Sequence, residues 1–339
     1  MPRCLRCLAL GLGLLLARPL GAADTWRHFT QENGLPGNEV QMIEQDEDGI
    51  LWIGTLSGLA TAQDGKFTVR LPKAQIWTVL RLAPGRYWVG AAGGAVLLDG
   101  EKKENSLPGT TVAPIVRFND TTIWAISKNL GTERNTLMEH QGQGWQAVEK
   151  FKGERVADLL RADGQVWVTV EGNGIWQVDP QKPLADARRH LDGTQVSSSF
   201  RDRKGRVWCG LWGGGVAAGE NGQWARHLTK EKSAILAIRE DAKGTIWVST
   251  SANGLWRFDG QAWTNDLKDE GSINMLATTR DGRVWISTQM VGGLRYWDGA
   301  KWVVSLDTPL AIRVLCETRD GELWAGSVLE GVYVLAPKK

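Results

Sequence analysis

Apolar and polar positions alternate at period two along most of this 339-residue chain, in short runs bounded by turn glycines every 8 to 12 residues. That rhythm predicts strands and leaves little room for helix. The runs recur in a fixed order. A β-branched or aliphatic residue nine before a glycine opens a first strand, at Val40, Ile76, Val196, Ile235, Ile273 and Ile312. A tight turn follows, as in Asp48-Gly49 or Lys204-Gly205, because glycine takes positive φ without a Cβ clash. The second strand carries a tryptophan, as in Leu51-Trp52-Ile53-Gly54-Thr55. A third opens on glycine plus an aliphatic residue, as in Gly58-Leu59 and Gly331-Val332. A second turn, such as Asp64-Gly65 or Asn221-Gly222, leads to a fourth strand that starts with an aromatic: Phe67, Trp145, Trp224, Trp263 or Trp302.

The anchor tryptophans stand at 52, 88, 124, 167, 208, 247, 285 and 324, a spacing of 36 to 43 residues. Such a period suits the four-stranded blade of a β-propeller. The fold class expected is all-β: a single propeller of eight four-stranded blades spanning residues 24–339. Seven blades are the alternative if the degenerate unit at Asp120-Thr121-Thr122-Ile123-Trp124 is an insertion. The last unit stops after its third strand, at Val332 to Leu335. Trp26-Arg27-His28-Phe29 resembles Trp224-Ala225-Arg226-His227, so residues 25–30 are expected to supply the missing outer strand and close the ring. Closure protects sheet edges that would otherwise invite aggregation.

Of the 18 tryptophans, 16 fit strand positions of this repeat and read as core between stacked blades. Each buried one removes about 150–250 Å² from water, worth roughly 4–6 kcal/mol before entropy costs. Trp77 and Trp212 fall outside the pattern.

The run Asp46-Glu47-Asp48-Gly49-Ile50-Leu51-Trp52-Ile53-Gly54-Thr55, with Gly58-Leu59 after it and Gly34-Leu35-Pro36-Gly37-Asn38-Glu39-Val40 before it, resembles the two-component regulator propeller repeat. The resemblance recurs in every unit between residues 25 and 335 and is weakest at Trp124. It implies a periplasmic ligand-binding input domain of the kind found on membrane hybrid histidine kinases, sometimes for carbohydrate. The chain runs out at Pro337-Lys338-Lys339 without a transmembrane helix, kinase or DNA-binding region, so a signal is expected to pass to a separate protein.

The N-terminus predicts export. Arg3 and Arg6 precede an apolar run from Leu8 to Ala17, and Gly21-Ala22-Ala23 marks a cleavage site, giving a signal peptide over 1–23. The run is too short to span a bilayer, which needs about 20 apolar residues, so no retained membrane span is expected. Losing Arg3, Arg6 and Arg18 takes the net charge from +2 to about −1. That balance leaves no footprint for nucleic acid. The mature chain keeps Cys209 and Cys316, in non-neighbouring units, and two buried thiols are expected rather than a disulfide. No cluster has metal-ligand spacing, and no cofactor is implied.

Repeat residues maintain the fold, so function is sought where the units differ. Strand order puts the loops between second and third strands on one face with the loops leading into each first strand, and the central channel opens there. Trp212 lies in such a loop, and Trp77 takes the second position of an innermost strand. Equivalent first-strand positions carry Gln41, Ser197, Asn274 and Arg313, and the cross-face loops offer Glu171, Asn173, Asn253, Gln289, Met290 and Glu330. Trp77, Trp212, Gln41, Asn173, Asn253, Asn274, Arg313 and Glu330 are the candidate ligand-binding residues, for a small molecule, oligosaccharide or peptide. The two tryptophans equally fit plugs of the channel. The charged segment from Lys128 to Asn135 reads as a solvated hairpin tip. His28, His140, His190 and His227 fall in or near outer strands without a neighbouring nucleophile or carboxylate pattern, so no catalytic residue is expected. The expected role is a periplasmic or secreted sensory propeller working with a membrane histidine kinase or an envelope protein. The alternatives are an envelope interaction scaffold and a propeller lyase or hydrolase acting on glycans.

Overall fold

A computed structural model describes residues 24–129, 135–220, 222–289 and 292–337. The expected signal peptide, Asn221, Met290 and the tip of the loop between Lys128 and Asn135 lie outside these residues. The described residues form eight four-stranded antiparallel sheets. Sheets 1 to 8 are named here by their first strands: Val40–Gln45, Ile76–Ala83, Thr110–Arg117, Val156–Ala162, Val196–Arg201, Ile235–Glu240, Ile273–Thr278 and Ile312–Glu317. In sheets 1 to 7 the four strands follow one another in sequence order. The unit around Trp124 makes a sheet of its own, sheet 3. Sheet 8 takes its outermost strand from the N-terminus: Trp26–Phe29 runs antiparallel to Val332–Leu335, with Trp26 opposite Leu335 and Phe29 opposite Val332.

The second strands are the most enclosed. Leu51–Thr55, Val207–Leu211, Ile246–Thr250, Val284–Thr288 and Leu323–Ser327 are buried at every residue. Each anchor tryptophan turns toward the next sheet. Eight apolar clusters result, and each joins two consecutive sheets. Trp52 packs with Ile76 and Val79 of sheet 2, for example, and Trp208 with Ile235 and Ile238 of sheet 6. The same arrangement joins the last sheet to the first, where Trp324 meets Val40 and Ile53.

A carboxylate six residues before the tryptophan fixes the turn to the core. Asp202 Oδ2 accepts the Trp208 indole N–H at 2.8 Å, while its Oδ1 accepts the backbone N–H groups of Lys204 and Arg206 at 3.0 and 2.8 Å. Asp46 and Asp241 do the same for Trp52 and Trp247. A hydroxyl takes over in sheet 7, where Thr279 Oγ1 accepts from Trp285 and donates to Asp281. In sheet 3 the position holds Phe118, whose ring stacks on Trp124 at 3.8 Å. The Asp of the Asp-Gly pair, prominent in the sequence, is thus only part of the turn chemistry.

Arginines staple the turn-bearing ends of neighbouring sheets together. Arg203 reaches the carbonyls of Asp241 and Ala242, and Arg280 those of Thr318 and Arg319. Arg319 of sheet 8 reaches Asp46 and Glu47 of sheet 1 at 2.6 and 3.0 Å. Cys209 and Cys316, the two cysteines among the described residues, are free thiols, but only Cys209 is buried; Cys316, on an innermost strand, is half-buried, which corrects the expectation for that residue.

Three histidines sit among the inter-sheet aromatics: His140 against Trp88 and Trp145, His190 between Trp167 and Trp224, and His227 against Trp208 and Trp263. Loss of solvation holds all three imidazoles below their usual range, with Arg86, Arg188 and Arg206 pushing the same way. A depressed folded-state value means that the unfolded chain takes up these protons first as pH falls. The contribution is complete above about pH 6.5, the unfolded value, and is lost below it. The thermal midpoint should therefore fall between pH 7.5 and 5.5, and replacing the three with glutamine should flatten that slope in calorimetry.

Candidate functional site

The loops after the second strands and the loops before the first strands occupy one face. A repeated backbone bond ties them: Leu56 N–H to Glu39 O, Ala92 to Gln75, Glu171 to Arg155, Trp212 to Gln195, Ser251 to Ala234 and Val328 to Ala311, all at 2.8–3.1 Å.

Just below this face every first strand is interrupted by a bulge. The pairing shifts between Val40 and Met42, Ile76 and Thr78, Val156 and Asp158, Val196 and Ser198, and likewise in sheets 6, 7 and 8. In sheet 3 the shift falls between Val112 and Ile115. A bulge leaves one residue out of the ladder and re-aims its side chain. The residues set free are Gln41, Trp77, Ala157, Ser197, Leu236, Asn274 and Arg313, with Ala113 and Pro114 in sheet 3. Four of the eight sequence candidates therefore share one structural position.

Across these positions the polar groups are not evenly spread. Asn274 and Arg313 are exposed and Gln41 is half-buried, in sheets 7, 8 and 1. Trp77, half-buried, follows in sheet 2. Asn274 Oδ1 accepts from Ser272 Oγ at 2.6 Å and Gln41 Nε2 donates to Glu39 O at 3.4 Å, which leaves each with spare capacity. Sheets 3, 4 and 6 present Ala113, Pro114, Ala157 and Leu236. Ser197 in sheet 5 is engaged, its hydroxyl donating to Ile235 O at 2.6 Å. One arc thus carries two amides, a guanidinium and an indole.

The remaining sequence candidates stand elsewhere. Trp212 is 56% exposed, in sheet 5, three sheets from Trp77. Asn173, Asn253 and Glu330 are committed to the fold. Asn173 donates to Glu154 and accepts from Arg189. Asn253 donates to Glu231 at 2.8 Å, and the Glu330 carboxylate accepts from Thr308 and from Tyr333 at 2.9 Å. These side chains cross-link the loops of the face. Sequence reasoning gave their placement but not their partners.

Deeper on the first strands lie charges that the sequence did not single out. Glu44 is open to solvent, yet lost solvation and the nearby Asp46 raise its carboxyl above the usual range. Asp158 is raised by burial, against the pull of the Leu159 backbone and Lys128, and Arg239 is lowered by burial. His28 stacks on Tyr333 at 4.2 Å. Among the described residues no group of three His, Cys, Asp or Glu side chains is placed to hold a metal ion, and no helix is long and apolar enough to cross a membrane.

No curated protein sequence matches the chain. A family model, the two component regulator propeller, matches residues 34–57. Among solved structures, the chain is similar to the extracellular domain of a protein described as a hybrid two component system, BT4673 from B. thetaiotaomicron, at 13% identity and a TM-score of 0.59. That similarity covers 93% of this chain but only 40% of that one. Sqt1 of Saccharomyces cerevisiae is similar at 10% identity over 94% of this chain and 99% of that one, with a TM-score of 0.62. YCF48 from Cyanidioschyzon merolae is similar at 14% over 78% and 96%, with a TM-score of 0.53. At these identities the likeness speaks for the fold. That fold is a β-propeller, and within it the segment 34–57 is similar to the two component regulator propeller repeat.

Proposed function

We propose that this chain is an exported sensory propeller that binds a small molecule, oligosaccharide or peptide on its channel face and hands the signal to a membrane histidine kinase or envelope protein. In this reading residues 1–23 are removed on export and the mature chain begins at Asp24. The eight sheets are the blades of one ring that the N-terminal strand closes. Support for closure comes from the Trp324 cluster and the Arg319 staple, which join sheet 8 to sheet 1 as other neighbours are joined.

The observation that carries the reading is the bulge arc. Asn274, Arg313, Gln41 and Trp77 take one register position on four successive sheets, and the bulge frees each side chain from the ladder. Amides and a guanidinium beside an indole suit hydroxylated or peptide ligands, by hydrogen bonding and stacking. A scaffold role is the second reading. It is favoured by Trp212, exposed on the same face but three sheets away, where a macromolecule would reach it and a small ligand on the arc would not. YCF48, which shares the fold, has been solved bound to a D1 peptide.

Titrating the mature chain with an oligosaccharide panel, followed by tryptophan fluorescence, tests the first reading. Trp77→Ala and Arg313→Ala should each weaken binding about tenfold or more, the effect of losing roughly 1.4 kcal/mol or more. Trp212→Ala should leave it unchanged. Saturable binding that survives both arc substitutions would refute the arc as the site.

A further inference from the structure

One sizeable cavity lies away from the channel face. It is a cleft of about 500 Å³ between sheets 4 and 5, opening beside the turn at Asp163-Gly164. That size is within the range of small-molecule sites, about 300–1,000 Å³.

The cleft exists because sheet 5 is locally thin. Residues opposite the one just before each anchor tryptophan are Ala62, Leu98, His140, Val178, Phe258, Trp297 and Leu335 in the other sheets. Sheet 5 has Gly219 there, paired with Val207. The ring of Trp224 settles into the space of the missing side chain, so close that a Cβ on Gly219 would come within 2.6–2.7 Å of it. With Trp224 drawn onto its own sheet, the space in front of Trp167 stays open.

The facing wall, from sheet 4, is polar. Gln177 Nε2 donates to Gln165 Oε1 at 2.5 Å, and His190 Nε2 lies 3.2 Å from Gln177 Oε1. This chain of amides leaves the Gln165 NH₂ group without a hydrogen-bond acceptor among the described residues. Two guanidinium groups border the opening. Arg201 is paired with Asp163, but Arg188 is exposed and has no carboxylate partner among the described residues.

We propose that this cleft is a second ligand site, for a polyhydroxylated carboxylate one or two sugar rings in size. The carboxylate would pair with Arg188, whose planar fork suits bidentate binding. The hydroxyls would meet Gln165 and Gln177, and the sugar ring would lie against Trp167 or Trp224. A neutral sugar would leave Arg188 unused.

Glucuronic and galacturonic acid, with glucose and galactose as neutral counterparts, are the probes for saturation-transfer NMR and calorimetry on the mature chain. Both acids, or one of them, should bind saturably and the neutral sugars at least about tenfold more weakly, the share expected of one charge-assisted pair. Arg188→Gln changes an exposed side chain and should remove that preference with the thermal midpoint unchanged. Gln165→Leu should weaken acid and neutral sugar together. Lys103→Gln, which removes a cation from the outer strand of sheet 2, should do neither. A preference for the acid over the neutral sugar that persists in Arg188→Gln would overturn the proposal, as would the absence of saturable acid binding in the unaltered protein. Loss with Trp77→Ala, and not with Arg188→Gln, would assign the signal to the channel face and likewise overturn the cleft.

Discussion

Replacing Asp202 with alanine should destabilise the protein by about 3–5 kcal/mol, the scale of removing one partner from a buried, hydrogen-bonded ion pair. Asp202 is 2% exposed and receives four bonds at once: from the Trp208 indole, from the backbone N–H groups of Lys204 and Arg206, and from the Arg206 side chain at 2.7 Å. Its carboxyl is held below the usual range because these bonds together outweigh the cost of burial. Alanine would strand a buried indole N–H and two amides, each costing roughly 1–3 kcal/mol when unmet. Asparagine keeps an acceptor for the turn but loses the charge that Arg206 needs, so Asp202→Asn should fall between alanine and the unaltered chain. Asp281→Ala, at the half-exposed position in sheet 7 where Thr279 holds the tryptophan, should cost no more than about 1 kcal/mol. Urea titrations followed by tryptophan fluorescence distinguish these cases. Equal midpoints for Asp202→Ala and Asp281→Ala would show that the buried carboxylate is not what fixes the blade.

That carboxylate marks the limit of what the chain reveals before folding. The period of the tryptophans, the turn glycines and the alternation between them are local, and each has one physical meaning, so the sheets are legible. The acceptor six residues before the tryptophan is also written there, as Asp46, Asp202 and Asp241. It is masked by the Asp of the Asp-Gly pair, which repeats more conspicuously. The bulges are not legible at all. Every first strand has nearly the same length, so an unpaired residue leaves no change of spacing, and only pairing shows that Gln41, Trp77, Asn274 and Arg313 share a role. Asn173, Asn253 and Glu330 show the reverse difficulty: their types suggest a site, and their partners in neighbouring loops make them struts. Gly219 carried a signal, a glycine where the other units place a side chain. Its meaning depends on a tryptophan five residues on folding back over it.

The second large effect concerns the N-terminal strand. A chain beginning at Gln31 should lose about 4 kcal/mol and roughly 10 °C in thermal midpoint, and should self-associate. The strand Trp26–Phe29 touches three sheets. The Trp26 indole donates to Ser305 O at 3.1 Å in sheet 7 and meets the Trp285 ring edge-on at 6.4 Å. His28 stacks on Tyr333 in sheet 8, and Phe29 packs against both Trp324 and Phe67, the latter from sheet 1. Its removal uncovers Val332–Leu335, four residues buried without exception, and leaves their outer backbone groups unpaired. An apolar strand with a free edge is a template for pairing with another chain. Light scattering after size exclusion should therefore show oligomers, and the isolated peptide 24–30, added in excess, should restore the monomer and part of the lost midpoint. Trp26→Ala separates the two contributions: it removes the sheet 7 contacts but keeps the edge covered, so it should lower the midpoint without causing association. A shortened chain that stays monomeric at an unchanged midpoint would mean that sheet 8 is stable with three strands, and that the join between the last sheet and the first rests on the Trp324 cluster alone.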